Sequence, residues 1–350
     1  MNHRSVGIDD LLGTLSAAAA ADRATATAEQ RRQTLRDLVA PFPVLAEPAV
    51  RTVERVSLGP TLVRERIVLE VLPGVEFSAY VFGPANPAGR LPAVLAIHGH
   101  GYGSRQISGL RPDGSPDTDD TDGHHHFALA LAERGLVVIA PDVLGFGERV
   151  TDTDRSFDPE SSNACYRLAE TLLLTGHSLV GVRVAELLGT VRHLRSRPEV
   201  DPARIGVMGH SGGSLLAMVT LACDDDLTAG VLCGYPNTFG DSILRVRHCA
   251  CNYLPGILRV ADQPELLALT APRPLFVESG TRDPIFPLAG FHRAVAVLRQ
   301  TYAAAGVPDR LGVDEHPGAH EVSGRVSFDW LAHQLTSRRH EVPASQGEAR

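Results

Sequence analysis

Short, mostly apolar runs alternate with longer amphipathic stretches through the second half of the chain, and that alternation predicts the fold. Residues 93–97, 136–140, 205–208, 229–233, 275–278 and 310–314 read as strands, with helices at 127–134 and 215–223 among the segments between them. A strand without a polar face must be covered on both sides, so apolar strands joined by helical crossovers imply a mostly parallel central sheet with helices on both faces. Residues 53–58, 63–71 and 76–83 are rich in β-branched side chains, with a turn at Pro73-Gly74. They read as antiparallel strands at the N-terminal edge of the same sheet. Residues 8–39 are alanine-rich, carry charges at helical spacing and end at Pro41-Phe42-Pro43, which marks residues 1–50 as an appended helical extension. Residues 51–337 then form one α/β domain, and the polar residues 338–350 are expected to be a flexible tail.

Two connections are too long to be simple turns, 147–176 and 235–263. Connections of this length in a compact domain usually carry function. The second mixes Tyr235, Asn237, Phe239, Arg245, His248, Asn252 and Tyr253 and is expected to act as a lid insertion over a polar substrate.

The candidate chemistry starts at RIGVMGHSGGS, residues 204–214, where an apolar strand breaks into Gly209-His210-Ser211-Gly212-Gly213 before the next helix. A serine on a tight strand-to-helix turn needs small neighbours, and Gly209 and Gly213 supply them. The free N–H groups at the start of the following helix favour negative charge at that turn. Serine also needs a base, and the base needs a group that holds its tautomer. Downstream, PRPLFVESGTRDPIFP places Asp283 in a turn after a strand, and EHPGAHEVSG places His320 in a loop before the last helix. His316 is a rival base and Glu278 a rival acid, but one directly follows a strand and the other lies inside one. Upstream, LPAVLAIHGHGYG runs from a strand into a glycine-rich loop whose backbone amides can form an oxyanion hole. Gly212 is expected to give one donor, and His100 or Gly101 the other.

The stretches HGHGYG, LAERGLVVIAPDVLGFGER, GVMGHSGGS, NTFGDSILRVRHCACNYLPG and VESGTRDPIFP resemble the α/β-hydrolase superfamily, and within it the dienelactone hydrolase and acetyl xylan esterase-like group. The resemblance runs from about residue 56 to 335. It implies an α/β-hydrolase fold and an esterase-type reaction with Ser211 as nucleophile, His320 as base and Asp283 as acid. His210 stands where an apolar residue is expected and Ser214 where a third glycine is. Tyr102, Arg149, His210, Tyr235, His248 and Tyr253 are the candidate substrate contacts, Arg149 as a partner for a substrate carboxylate.

Composition narrows the partners. The net charge is −8, with 33 basic and 41 acidic residues and no long basic run, which disfavours nucleic acid. The chain contains no lysine, excluding Schiff-base chemistry, a pyridoxal anchor and a phosphate-loop lysine. The alanine run near the N-terminus follows Asp9 and Asp10 and lacks the apolar core of an export signal. No apolar stretch is long enough to span a bilayer, so cytoplasmic residence is the expectation. The five cysteines suggest no disulfide framework, and Cys249-x-Cys251 is too close for a C-x-x-C metal knuckle, so these thiols read as buried small side chains. The Asp- and His-rich run 117–126 has metal-ligand chemistry but reads as a solvated acidic loop. The expected partner is a small-molecule ester, without metal, cofactor, nucleic acid or membrane; self-association as a homo-oligomer stays open.

Overall fold

In the computed structural model, which describes residues 7–39, 42–119 and 121–337, the apolar runs assemble into a nine-stranded sheet of order β1-β2-β3-β5-β4-β6-β7-β8-β9. The strands are β1 (Ala49–Leu58), β2 (Leu62–Leu72), β3 (Val75–Pro84), β4 (Leu91–Ile97), β5 (Val137–Pro141), β6 (Val200–His210), β7 (Ala229–Cys233), β8 (Leu275–Gly280) and β9 (Leu311–His316). β1, β2 and β3 form an antiparallel meander, and β3 pairs antiparallel with β5. From β5 through β4, β6, β7 and β8 to β9 every pairing is parallel. This is the α/β-hydrolase fold. Gly74 makes the β2–β3 turn in the left-handed region at φ 76°, where a side chain would be strained.

Strand β4 shows why the central strands lack a polar face. Ala93, Leu95 and Ile97 enter one hydrophobic core while Val94 and Ala96 enter the other, and all five are fully buried. The larger core is covered by helices including Leu179–Ser196, Gly212–Cys223 and Leu288–Ala304, the smaller by Phe127–Ala132 and Ser327–Thr336. Because parallel strands all point their C-terminal ends to one edge, the loops after β4, β6, β8 and β9 meet there.

The N-terminal extension is two helices, Ile8–Ala24 and Ala28–Val39. The break is local: the Thr27 amide donates to Gln30 Oε1 (2.8 Å) and the Gln30 amide to Thr27 Oγ1 (3.2 Å), a reciprocal cap that starts a new helix. The second helix buries Leu35 and Val39 in the larger core, whereas the first buries no side chain and leaves Ile8, Leu11, Leu12 and Leu15 exposed. Arg23 and Arg31 tie the extension to Glu265. The connection 147–176 contains helices Asp152–Phe157 and Cys165–Leu174. The insertion 235–263 is anchored where Asp262 caps the helix Gln263–Ala268 and also accepts from the Phe239 amide (2.8 Å). The tail 338–350, together with residues 40, 41 and 120, lies outside the described residues.

Removing a buried aliphatic side chain costs its transfer energy and leaves a cavity. Leu35→Ala is therefore expected to lower stability by about 2–5 kcal/mol in urea unfolding, while Leu12→Ala changes it by less than about 0.5 kcal/mol. Equal effects would show that the second helix is not part of the cooperative core.

Candidate active site

Strand β6 ends at His210, and the next residue turns the chain against its own preference. Ser211 has φ 54° and ψ −124°, one of three non-glycine residues at positive φ among those described. The turn survives because neighbours on both sides fit no side chain. A Cβ at Gly209 would collide with the Gly213 carbonyl, and one at Gly213 with the Ile97 carbonyl of β4. The Ser211 amide donates to the Cys233 carbonyl (2.9 Å). Ser214, at the place of the expected third glycine, explains itself: its hydroxyl accepts from the Cys233 amide (2.8 Å) and lies 2.6 Å from the Gly209 carbonyl, joining the turn to β7.

His320, in the loop after β9, faces Ser211 with Nε2 2.8 Å from Oγ and faces Asp283 with Nδ1 2.7 Å from Oδ2. Asp283 is buried, and its other oxygen accepts the amides of Ile285 and Phe286, each at 2.9 Å. A carboxylate can only accept, so Nδ1 carries the imidazole proton and Nε2 presents its lone pair to the serine hydroxyl. Phe286 stacks on the His320 ring, with centroids 5.5 Å apart and planes 14° from parallel, restricting rotation of the imidazole. The rivals lie elsewhere: His316 is buried with Nδ1 accepting from the Gly318 amide (3.2 Å), and buried Glu278 accepts from the Ser323 amide (2.8 Å).

The loop after β4 is held by buried polar groups. His98 Nε2 accepts from the Val143 amide (3.0 Å), so Nδ1–H donates to the Gly99 carbonyl (2.7 Å). Burial pushes the His98 pKa down to about 3, against the weaker upward pull of that carbonyl. Asp142 accepts from the Ser104 amide (2.6 Å), and burial raises its carboxyl above the usual range. His124 Nε2 accepts the Gly99 amide (3.1 Å), while its Nδ1 lies 3.2 Å from Asp122. Gln106 Oε1 accepts the Tyr102 amide (3.1 Å). The Gly99 and Tyr102 amides are engaged, whereas among the described residues those of His100, Gly101 and Gly103 in this loop have no hydrogen-bond partner; His100 and Gly101 are the expected donors, opposite the first amide of the helix that begins at Gly212. His124 thus works on the loop from the 117–126 run; its only sequence signal was the Asp-Gly-His triplet after Thr121.

Ser211 and His320 open on a cavity of about 420 Å³ whose walls include His100, Gln106, His124, Arg247, His248 and Phe286. Two of the six expected substrate contacts, His210 and His248, reach it. His210 is almost fully buried against His124 and His320, with ring centroids 4.7 and 5.0 Å away, and burial together with those rings holds it neutral. Partial burial lowers the His248 pKa as well. The other four do not line it. Arg149 is sequestered by a bidentate pair with Glu186 (2.6 and 2.7 Å) over the Phe77 ring, so its charge is already matched. Tyr235 is buried behind Phe286, Tyr253 borders a separate apolar groove, and Tyr102 stands beside Asp117 and Asp122, where burial and those carboxylates raise its pKa to about 12. Arg247 and Cys249 were missed because the fold of the insertion, rather than any local pattern, turns them inward, and Phe286, in the loop after β8, because its stacking on His320 is tertiary.

The cysteines are also brought together. Cys165, Cys249 and Cys251 converge on His100, with all four ligand atoms within 4.8 Å of one another. Burial opposes charge on His100, but hydrogen bonds to Cys165 and Cys249 outweigh it and raise the imidazole to about 9.

The fold and this strand-end site define a hydrolase of the α/β type. Residues 77–320 match the dienelactone hydrolase family, and the chain belongs to it. Among curated proteins it is 28% identical over 303 residues to YtaP of Bacillus subtilis (strain 168), provisionally named a hydrolase, covering 84% of this chain and 93% of that one. Among solved structures it is similar to one from Bacteroides fragilis NCTC 9343, provisionally named an acetyl xylan esterase (TM-score 0.74, 18% identity, 89% of this chain and 87% of that one). It is also similar to a glucuronoyl esterase from Solibacter usitatus (TM-score 0.63, 16% identity, 88% and 92%).

A buried neutral His98 makes a testable demand on pH. The folded form resists protonation down to about pH 3, while the unfolded chain takes up the proton near the ordinary value of 6.5. Its contribution is therefore complete above 6.5 and is lost progressively as pH falls toward 3. Each such group adds a slope of up to about 1.4 kcal/mol per pH unit. Urea unfolding between pH 6 and 5, above most carboxylate titration, is expected to show stability falling with acid, and His98→Gln is expected to remove one proton's share. An unchanged slope in the variant would mean that His98 is protonated in the folded protein.

Proposed function

We propose that the protein is a serine esterase that hydrolyses an ester-type acyl bond of a small polar or carbohydrate substrate. The observation that carries this reading is the unbroken chain from Asp283 through His320 to Ser211 beneath a polar cavity. In the first step Ser211 Oγ attacks the ester carbonyl as His320 Nε2 takes its proton. Asp283 stabilises the imidazolium without itself taking the proton. The tetrahedral oxygen accepts from the amides of Gly212 and of His100 or Gly101. Collapse breaks the bond to the alkoxide, which receives the proton from His320, leaving Ser211 acylated. Water then attacks with His320 again as base, and the acid is released.

The polar walls favour a polar substrate over a long acyl chain. The acetyl xylan and glucuronoyl esterases among the similar structures support a carbohydrate ester. Cytoplasmic residence is part of this proposal, and because polymeric xylan is absent there it favours a lactone or specialised-metabolite acyl substrate as the alternative. A lactone, a thioester or an acyl group of a specialised metabolite would use the same residues. A binding protein that retained the fold without chemistry is the contrasting reading, which an intact Ser211–His320 bond opposes.

The test is hydrolysis of p-nitrophenyl esters from acetate to octanoate. Short chains are expected to turn over fastest, with kcat falling about 10⁴- to 10⁶-fold in Ser211→Ala and His320→Ala and about 10⁴-fold in Asp283→Asn. Comparable turnover in Ser211→Ala would remove the serine from the mechanism.

A further inference from the structure

Three parts of the chain far apart in sequence meet beside the glycine-rich loop after β4. His100 comes from that loop, Cys165 opens the helix Cys165–Leu174, and Cys249 and Cys251 come from the insertion after β7. Their four ligand atoms lie within 4.8 Å of one another, with His100 Nε2 3.4 Å from Cys251 Sγ. A tetrahedral centre with metal–sulfur bonds near 2.3 Å and a metal–nitrogen bond near 2.0 Å requires spacings of roughly 3.5–3.8 Å. Small side-chain rotations separate the two arrangements.

An independent observation shows that this pocket calls for negative charge. Arg183 is buried, lies over the Phe146 ring at 4.9 Å, and donates to the Leu144 carbonyl (3.0 and 2.6 Å) and to Cys165 Sγ (3.2 Å). Among the described residues no carboxylate pairs with it. A buried, unpaired guanidinium is costly, so thiolates are its natural counter-charge. Three thiolates packed together exceed the charge that Arg183 can balance and would repel one another strongly, and a bound dication would displace the proton from His100. One dication with three thiolates and a neutral imidazole leaves a single negative charge, which Arg183 cancels.

We propose that His100, Cys165, Cys249 and Cys251 form a tetrahedral site for one zinc ion. Soft thiolates with one imidazole are the donor set that zinc accepts in closed structural sites. Arg183 and the Asn252 amide, 3.8 Å from Cys251 Sγ, serve as outer donors to the sulfurs. Four protein ligands leave no open position, so the ion acts as a clasp. It ties the loop that carries the His100 amide to the lid and to the helix Cys165–Leu174. The C-x-C spacing hides the site in the sequence because its other two ligands come from elsewhere. The proposal stands independently of the serine chemistry.

The experiment is metal analysis of the full-length protein produced in zinc-supplemented medium and desalted. It runs beside Cys249→Ser, Cys251→Ser and, as a control, Cys223→Ser, whose thiol lies at the far end of the helix that follows Ser211. About one zinc per chain is expected in the wild type and the control, falling to near background in the other two variants. Cobalt(II) added to metal-stripped wild type is expected to give intense visible bands of tetrahedral cobalt and near-ultraviolet sulfur-to-cobalt charge transfer, a readout that needs no variant to fold. Folded wild type without zinc and without the thiolate–cobalt bands overturns the proposal. So does zinc that persists in Cys249→Ser and Cys251→Ser, or a chain isolated with a disulfide within the trio in place of metal.

Discussion

The strained backbone at Ser211 is the constraint on which the rest of the site depends. A non-glycine residue at φ 54° persists only when its surroundings leave no alternative, and here they are backbone on every side. Gly209 and Gly213 pack against carbonyls where a Cβ has no room, and Ser214 joins the turn to β7. Relaxing the turn would mean separating β4, β6 and β7, the centre of the sheet. The hydroxyl is thereby held at the edge where the loops after β8 and β9 deliver Asp283 and His320.

Buried neutral histidines do the supporting work around that turn. His98 and His124 each use one ring nitrogen as an acceptor for a backbone amide, which assigns the tautomer and fixes the loop carrying the His100 and Gly101 amides. His210 lies between His124 and His320, where burial keeps it uncharged and spares His320 a neighbouring cation. An apolar residue at position 210 would serve as well for charge, so its polarity has no account in the described contacts.

What was legible in the sequence follows from how local each signal is. The strands were readable because both faces of the parallel sheet are buried, as the alternation of Leu95 and Ala96 between two cores shows. That Ser211, Asp283 and His320 meet at one edge of the sheet was readable because each sits at a strand end beside its own glycine or turn signal. Arg149 was misplaced because the sequence does not reveal that Glu186, on a helix 37 residues away, already pairs with it. The convergence of His100, Cys165, Cys249 and Cys251 was hidden for the same reason: tertiary folding of the insertion, rather than spacing, makes the cluster. Arg247 of the same insertion enters the cavity only through that packing.

An activated Ser211 should be trapped by a reagent that forms a stable covalent adduct with a nucleophilic serine. Intact-mass and peptide mass spectrometry after treatment with a fluorophosphonate should show one adduct, mapped to Ser211, with labelling lost or greatly slowed in His320→Ala. No adduct on folded protein, an adduct on another residue, or equal labelling without His320 would contradict the account.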